Sequence, residues 1–359
     1  MLSAYGDWKI DITRPSMFIT LRLISVGFCY KDGDLDFKKA EEELSEREKY
    51  HRIVETPSLL EFMAYSLTSA GALIGPYFEY RDFIDCMYGR NHYQDIPSNA
   101  LISLRLFGES MIWGVMFAFL DNRFPIIYGI SDEFYNKSYL YKLYYIFWSF
   151  LGRRAQFFLV FRQQEVACVS AGVGYNGVKD GKHQWDRVKC VDIINMEVYS
   201  LNPSVYSIMW NMSVCNFARN YIFKRQLVKG QRPTFLNNMS TWMFSGIWHG
   251  FYFVNFELFL SMGMIIQLEK YIIQMKALAA PFLNKYTHYI IFYLISRLEM
   301  SYIMSAYFLY NHEHSTALRR AFFFIPDIIL FGSVLILGFT GLPRIIQKKY
   351  EPKKEEDLQ

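Results

Sequence analysis

The 359-residue sequence has little cysteine and none of it in paired spacing: Cys29, Cys86, Cys168, Cys190 and Cys215 are scattered and odd in number. That pattern argues against a disulfide framework and against a CxxC metal site, leaving packing cysteines. Excess charge is also scarce, with a formal net of +4. The cations sit beside apolar runs and form no basic arm, so nucleic-acid binding is disfavoured. No internal repeat or low-complexity tract is visible, which removes support for a solenoid or a repeat-built transporter. The start, "MLSAYGDWKIDITRPS", lacks the long apolar core of a cleavable signal peptide, so insertion would rely on an internal span. The GxSxG elbow of serine hydrolases and the HExxH zinc pattern are missing as well.

Apolar and aromatic mass is abundant. The chain is 52% hydrophobic and 18% aromatic, with 32 Phe and 27 Tyr, well above an ordinary cytosolic domain. The clearest run, 241–267, "TWMFSGIWHGFYFVNFELFLSMGMIIQ", has Glu257 as its only formal charge and exceeds the ~20 residues needed to cross a bilayer core. The runs 321–343 and 58–78 are read as further spans, carrying Asp327 and Glu61. Additional candidates lie at 105–131, 139–160, 157–178, 204–223 and 285–309, several with an internal charge that must face protein or a wet cavity. Long apolar runs exclude a β-barrel, and an open sheet fails in lipid because its backbone amides stay unsatisfied. The fold class is therefore all-α, a polytopic transmembrane helical bundle of roughly seven to nine membrane segments. One membrane domain is expected over 1–343, with 31–57 within it as a charged loop or short surface helices. The charged tail 344–359 begins with Arg344, Lys348 and Lys349, which the positive-inside rule places in the cytosol.

"GVGYNG", Gly172 to Gly177, is a literal GxGxxG, but an apolar run precedes it and "KDGKHQWDR" follows, so a tight turn is the better reading. "NHEH" places His312 and His314 two apart with no third ligand, which reads as a loop between spans and no metal site. His249, within "SGIWHG", falls mid-way along the cleanest run, with Ser245 and Gly246 one helical turn before it and Gly250 beside it. An ionisable side chain inside an apolar span is a functional candidate. Asn211 opens a sequon in "WNMS", yet a sugar acceptor needs an exposed lumenal loop. On a helical wheel Ser213, Asn216, Asn220 and Lys224 form a polar stripe, while Asn211 faces the other way among apolar residues. Asn136 and Asn238 are the better acceptors.

"WNMSVCNFARNYIFKR" followed by "WHG", with His249 lying 38 residues after Asn211, resembles the two-part active-site signature of the membrane-bound O-acyltransferases. "TPSLLEFMAYSLTSAGALIGPYFEYRDF" and "FRQQEVACVSAGVGYNG" precede them in the order of the lysophospholipid acyltransferases, closest to the lysophosphatidylinositol branch. The resemblance runs from about Asp7 to Gly341, and such relatives have further apolar segments before this chain begins. It implies that the helices enclose a catalytic chamber faced by His249 as base and Asn211 as polar partner. The implied reaction moves a fatty acyl group, with long polyunsaturated chains suggested, from acyl-CoA as co-substrate to the sn-2 hydroxyl of lysophosphatidylinositol, in the endoplasmic reticulum membrane. The basic stretch after the Asn helix, Lys224 and Arg225 with Lys229 and Arg232, is the candidate for the acyl-CoA phosphates. No bound cofactor, metal or nucleic acid is expected, and the partners are the bilayer and the two lipid substrates. Acylation of a serine, ethanolamine or choline lysophospholipid, a lipid transporter, and a truncated inactive relative are the alternatives.

Overall fold

A computed structural model describes residues 13–71, 74–228, 230–275 and 285–350, and the side chains of 13–14 and 285–289 lie outside that description. Helix α1 (Thr13–Gly33) leads into α2 (Phe37–Glu43) and α3 (Glu46–His51), so the charged stretch 31–57 folds as short helices. Their starts are encoded locally: Asp36 accepts the Lys39 N–H, and Ser45 with Glu48 closes a capping box. The expected span 58–78 is not one helix. It holds α4 (Leu59–Leu67), a connection through Gly71 (φ 71°) and Gly75 (φ 101°), and then α5 (Tyr80–Met87). Nine residues rise only about 14 Å, half a hydrocarbon core. The end of α4 is closed by Arg22 of α1, 1% exposed, which donates to the carbonyls of Tyr65, Ser66, Thr68 and Ala70.

Helix α6 (Ala100–Arg123), with the turn that carries it to Ile130, is the one described helix that is by itself long and apolar enough to cross a membrane; 6% of its apolar window is buried. After α7 (Asp132–Tyr135), the candidates 139–160 and 157–178 merge into a single 32-residue helix, α8 (Tyr139–Ser170). The GxGxxG stretch is the turn that follows it, with Gly172 at φ 85° and Gly177 at φ 80°. No strand precedes the glycines, as a dinucleotide site requires. They lead instead into a hairpin of β1 (Val178–Lys179) and β2 (Lys182–His183), with Val178 opposite His183. Its two-residue tip, Asp180 and Gly181, takes the positive φ values that such a turn demands.

The run 204–223 is also interrupted: α9 (Pro203–Met209) and α10 (Met212–Phe217) are separated at Trp210–Asn211, and π-helical turns flank them at Asn195–Tyr199 and Ala218–Phe223. The cleanest run, 241–267, is a hairpin of α11 (Phe235–Trp248) and α12 (Phe253–Gln274). Helix α13 (Lys285–Phe308) matches its run closely. "NHEH" is no loop, because Asn311 caps α14 (His312–Ala321). The expected span 321–343 begins later, as α15 (Ile325–Thr340), bent 91° from α14, and α16 (Leu342–Tyr350) opens the charged tail. With the bent pair counted as one span, helix length and composition among the described residues support up to two crossings, short of the roughly seven to nine expected. Non-helical backbone at membrane depth is tolerated where it is buried in protein or lines a wet cavity.

The chain divides into two compact units. The first comprises Met1–Val115, Ala155–Ile193 and Met209–Gln226 and is tied by buried ion pairs. Glu79, 8% exposed, accepts the hydroxyls of Tyr77 and Tyr221 at 2.7 and 2.6 Å and pairs with Arg47. Asp82 takes the Arg187 Nε at 3.1 Å, and Asp85 takes Tyr50, Asn91 and Arg81 at 3.0, 2.8 and 3.2 Å. Arg162 pairs with Glu165 and, at 3.1 Å, with Glu109. The acidic and basic letters of "FEYRDF" and "FRQQE" thus serve as internal knots.

The second unit comprises Met116–Arg154, Ile194–Ile208 and Leu227–Gln359. Its helix hairpin closes through glycine: a Cβ on Gly263 would meet the Met239 sulfur at 2.6 Å, and Trp242 stacks on Phe259 at 6.2 Å. Charges inside its apolar runs face protein, as lipid requires. Lys142 donates to the Ala321 carbonyl at 2.8 Å, beside the bend into α15. Arg154 lies 3.1 Å from Glu197 and donates to Tyr206, while Arg297 is sandwiched by Tyr206 and Tyr293 at 4.9 and 4.7 Å.

Candidate active site at two helix breaks

Asn211 lies in the first unit and is no mid-helix residue. It is the cap of α10 with left-handed backbone, φ 49° and ψ 57°, a conformation that asparagine tolerates better than most L-residues. The break is stitched from outside the segment. The Met212 N–H donates to the Cys190 carbonyl at 2.6 Å, and the Met209 carbonyl accepts the Asp192 N–H at 3.2 Å. Before the break, the Trp210 ring packs on Phe157, Phe158 and Phe161 at 5.4 to 6.0 Å. After it, the buried Ser213 hydroxyl accepts the Tyr77 N–H at 3.1 Å and reaches the Asn211 amide oxygen at 3.4 Å. One end of the Asn211 amide is therefore occupied, and the other makes no hydrogen bond among the described residues.

The continuous helical wheel is corrected by this break. Ser213 is buried while Asn216 and Lys224 are exposed, so the polar stripe is not one face. A half-buried asparagine with fixed left-handed backbone is also a poor sugar acceptor; Asn136 is exposed, but Asn238, half-buried inside helix α11, is no better placed than Asn211, which corrects the expectation for it.

His249 lies in the second unit, at the end of α11, not in the middle of a span. The chain reverses through Gly250, at φ 107°, which an L side chain adopts only with strain. Asn255, 5% exposed, holds the reversal by donating to the Gly250 carbonyl at 2.9 Å. The half-buried imidazole packs between Trp248, edge-on at 4.8 Å, and Phe259 at 5.0 Å. Its Nδ1 lies 3.4 Å from the Tyr307 hydroxyl on α13, while Nε2 makes no hydrogen bond among the described residues. Gly246 is buried against Asn255, Phe256 and Phe259, so it serves helix packing instead of leaving room beside the ring.

Tyr307 and Asn255 were not singled out from the sequence. Asn255 left a trace, a lone amide in "FYFVNFELF". Tyr307 left none, because tyrosine is common in this chain and its partner lies 58 residues away.

The candidate cations separate. Arg225 donates to Asp32 at 2.9 Å and lies 3.3 Å from Glu48, so its charge is already balanced by two carboxylates. Lys224 and Arg232 are exposed, and Lys229 lies outside the described residues. His312 sits 3.2 Å from Glu257 and edge-on to Phe253, and no metal-holding cluster occurs among the described residues.

A family model, the MBOAT, membrane-bound O-acyltransferase family, matches residues 2–342. The chain belongs to that family. Among its relatives, lysophospholipid acyltransferase 1 of Arabidopsis thaliana is 25% identical over 369 residues, 98% of this chain and 77% of that protein. Lysophospholipid acyltransferase of Schizosaccharomyces pombe is 25% identical over 350 residues, 93% of this chain and 68% of its own length. Human lysophospholipid acyltransferase 5 is 25% identical over 371 residues, covering 99% and 72%. As a membrane-bound O-acyltransferase, the chain works in a bilayer, where helix breaks at a polar side chain are costly unless protein or a wet cavity satisfies the irregular backbone.

Proposed function

We propose that this membrane-bound O-acyltransferase is a lysophospholipid acyltransferase, moving a fatty acyl group from acyl-CoA to the free hydroxyl of a lysophospholipid. The observation that carries the reading is the His249 imidazole, held on one nitrogen and open on the other at a helix break. An alcohol is a poor nucleophile until a base takes its proton, which a neutral imidazole does. The oxygen then attacks the thioester carbonyl, and the thiolate of coenzyme A leaves and takes the proton back from the imidazolium. Asn211 contributes an amide, as donor to the carbonyl oxygen as charge develops or as acceptor that orients the alcohol. The relatives' names support the lysophospholipid as acceptor.

Within that class we favour the sn-2 hydroxyl of lysophosphatidylinositol and a polyunsaturated acyl group, on the resemblance of "GPYFEYRDF" and "WNMS" to the inositol-lipid branch. The same resemblance favours the endoplasmic reticulum membrane, with the basic residues of α16 placing the carboxyl end in the cytosol. For the acyl-CoA phosphates, Lys224 is the better cation, since Arg225 is neutralised by Asp32 and Glu48.

The test is acyl transfer from a panel of acyl-CoA donors to lysophosphatidylinositol, lysophosphatidylserine, lysophosphatidylethanolamine and lysophosphatidylcholine, with His249→Ala as control. Highest kcat/KM on the inositol lipid, abolished in the variant, is the expected result. A preference for another headgroup overturns the finer assignment, and no transfer to any acceptor overturns the enzyme reading in favour of a transporter or inactive relative.

A further inference from the structure

We infer that Tyr307 is a positioning residue for His249, its phenolic oxygen accepting the Nδ1–H of the imidazole and so fixing the tautomer in which Nε2 is the base. This rests on the reading of His249 as the general base.

The contact can be made in two directions, and only one fits that role. If the phenol donates to Nδ1, the neutral ring carries its proton on Nε2. The open nitrogen is then a donor with no lone pair to receive the alcohol proton. If Nδ1–H donates to the phenol oxygen, Nε2 carries the lone pair. This second arrangement also survives the reaction, because an imidazolium keeps its Nδ1–H and the bond to Tyr307 need not reverse when Nε2 gains a proton. Such partners orient the ring as the carboxylate does in a serine-protease triad, but here without a negative charge.

The surroundings fix both ends of the contact. His249 cannot swing freely, because Trp248 and Phe259 pack on its ring and Asn255 holds the Gly250 carbonyl just after it. Tyr307 lies one residue before the end of α13, with its ring nearly perpendicular to the imidazole at 86°. The chain turns immediately afterwards through Tyr310, at φ 57°, into the Asn311 cap of α14. Phe308 and Tyr310 pack against the Tyr307 ring at 5.3 and 6.2 Å. The hydroxyl is thus delivered by a braced helix end to a braced loop, and the 3.4 Å separation is the loose geometry common before substrate closes a site.

The experiment compares purified wild type, Tyr307→Phe, His249→Ala and the double variant in detergent, on the best acceptor of the lysophospholipid panel. Rates are expressed per folded molecule, counted by size-exclusion fluorescence, so that a folding loss does not enter the comparison. Tyr307→Phe keeps the ring and removes the hydroxyl. Its kcat is expected to fall roughly 10- to 100-fold, with KM for both substrates unchanged. In the His249→Ala background the same substitution is expected to add no further loss, because its effect runs through the imidazole. A Tyr307→Phe enzyme whose kcat stays within about twofold of wild type, while His249→Ala is inactive, overturns the inference and leaves the general-base reading intact. A raised KM with kcat unchanged overturns it too, placing the hydroxyl in substrate binding. Near-normal turnover by His249→Ala overturns the general-base reading itself, and this inference with it.

Discussion

At the first break the candidate residue itself carries the left-handed backbone, whereas at the second the positive φ falls on the glycine that follows it. Asn211 sits at φ 49°, while His249 has relaxed angles of φ −74° and ψ −7° and Gly250 takes φ 107°. Asparagine at 211 is therefore suited twice, by a backbone that tolerates the left-handed region and by an amide with one free end. Histidine at 249 is suited once, by its ring. The supports differ as well. Asn211 is held through backbone hydrogen bonds of its neighbours Met209 and Met212 to 190–192, and His249 by side chains of Asn255 and Tyr307.

The sharpest way to break that contrast is a pair of substitutions at 211. Asn211→Gly and Asn211→Ala should both lose activity by about 10²- to 10³-fold if the amide stabilises the developing oxyanion. Both lose the hydrogen bond from Ser213, but Asn211→Ala should be less stable than Asn211→Gly by about 1 kcal/mol, because alanine resists the left-handed region and glycine does not. Equal thermal melting of the two variants would remove the claim that asparagine is there for its backbone. The same response of gel mobility to glycosidase in wild type and in both variants is the companion expectation for position 211.

Gly250→Ala probes the other side. It should destabilise by about 1 to 2 kcal/mol and lower kcat by moving His249. A Cβ would meet Tyr252 at only an ordinary 3.5 Å, so the cost lies in the backbone. Full stability and rate in this variant would show that the reversal tolerates another path. The smallest effect is expected from the cations of the first unit. Arg225→Ala should lower the melting temperature by releasing Asp32 and Glu48, with KM for acyl-CoA unchanged. Lys224→Ala should raise that KM by a few-fold at low salt and leave melting alone. Exchange of these two outcomes would return Arg225 to the donor site.

The candidate residues were more legible than the backbone that presents them. Asn211 and His249 stand out as polar letters in apolar surroundings, and their order carries the family resemblance. The breaks beside them are hidden, because an apolar run reads alike whether one helix crosses or two fold back. In 241–267 the reversal falls at Gly250, one of three glycines in the run with Gly246 and Gly263, and glycine in a membrane helix is unremarkable. In 58–78 the decisive partner is Arg22, some forty residues upstream, whose guanidinium collects the carbonyls at the end of α4. The merger of two candidates into α8, conversely, was readable from the overlap of 139–160 with 157–178. The acidic letters of "FEYRDF" are tied down by Arg47, Tyr221 and Arg187, contacts that pattern alone does not reveal.

In the proposed reaction the imidazole at the second break is the base that takes the alcohol proton, and it has little part in holding the fold. The measurement that bears on it most directly is acyl transfer and thermal melting of one purified His249→Ala preparation beside wild type. The account predicts a rate lower by about 10²- to 10⁴-fold with an unchanged melting temperature. Near-normal transfer by the same folded protein would contradict it.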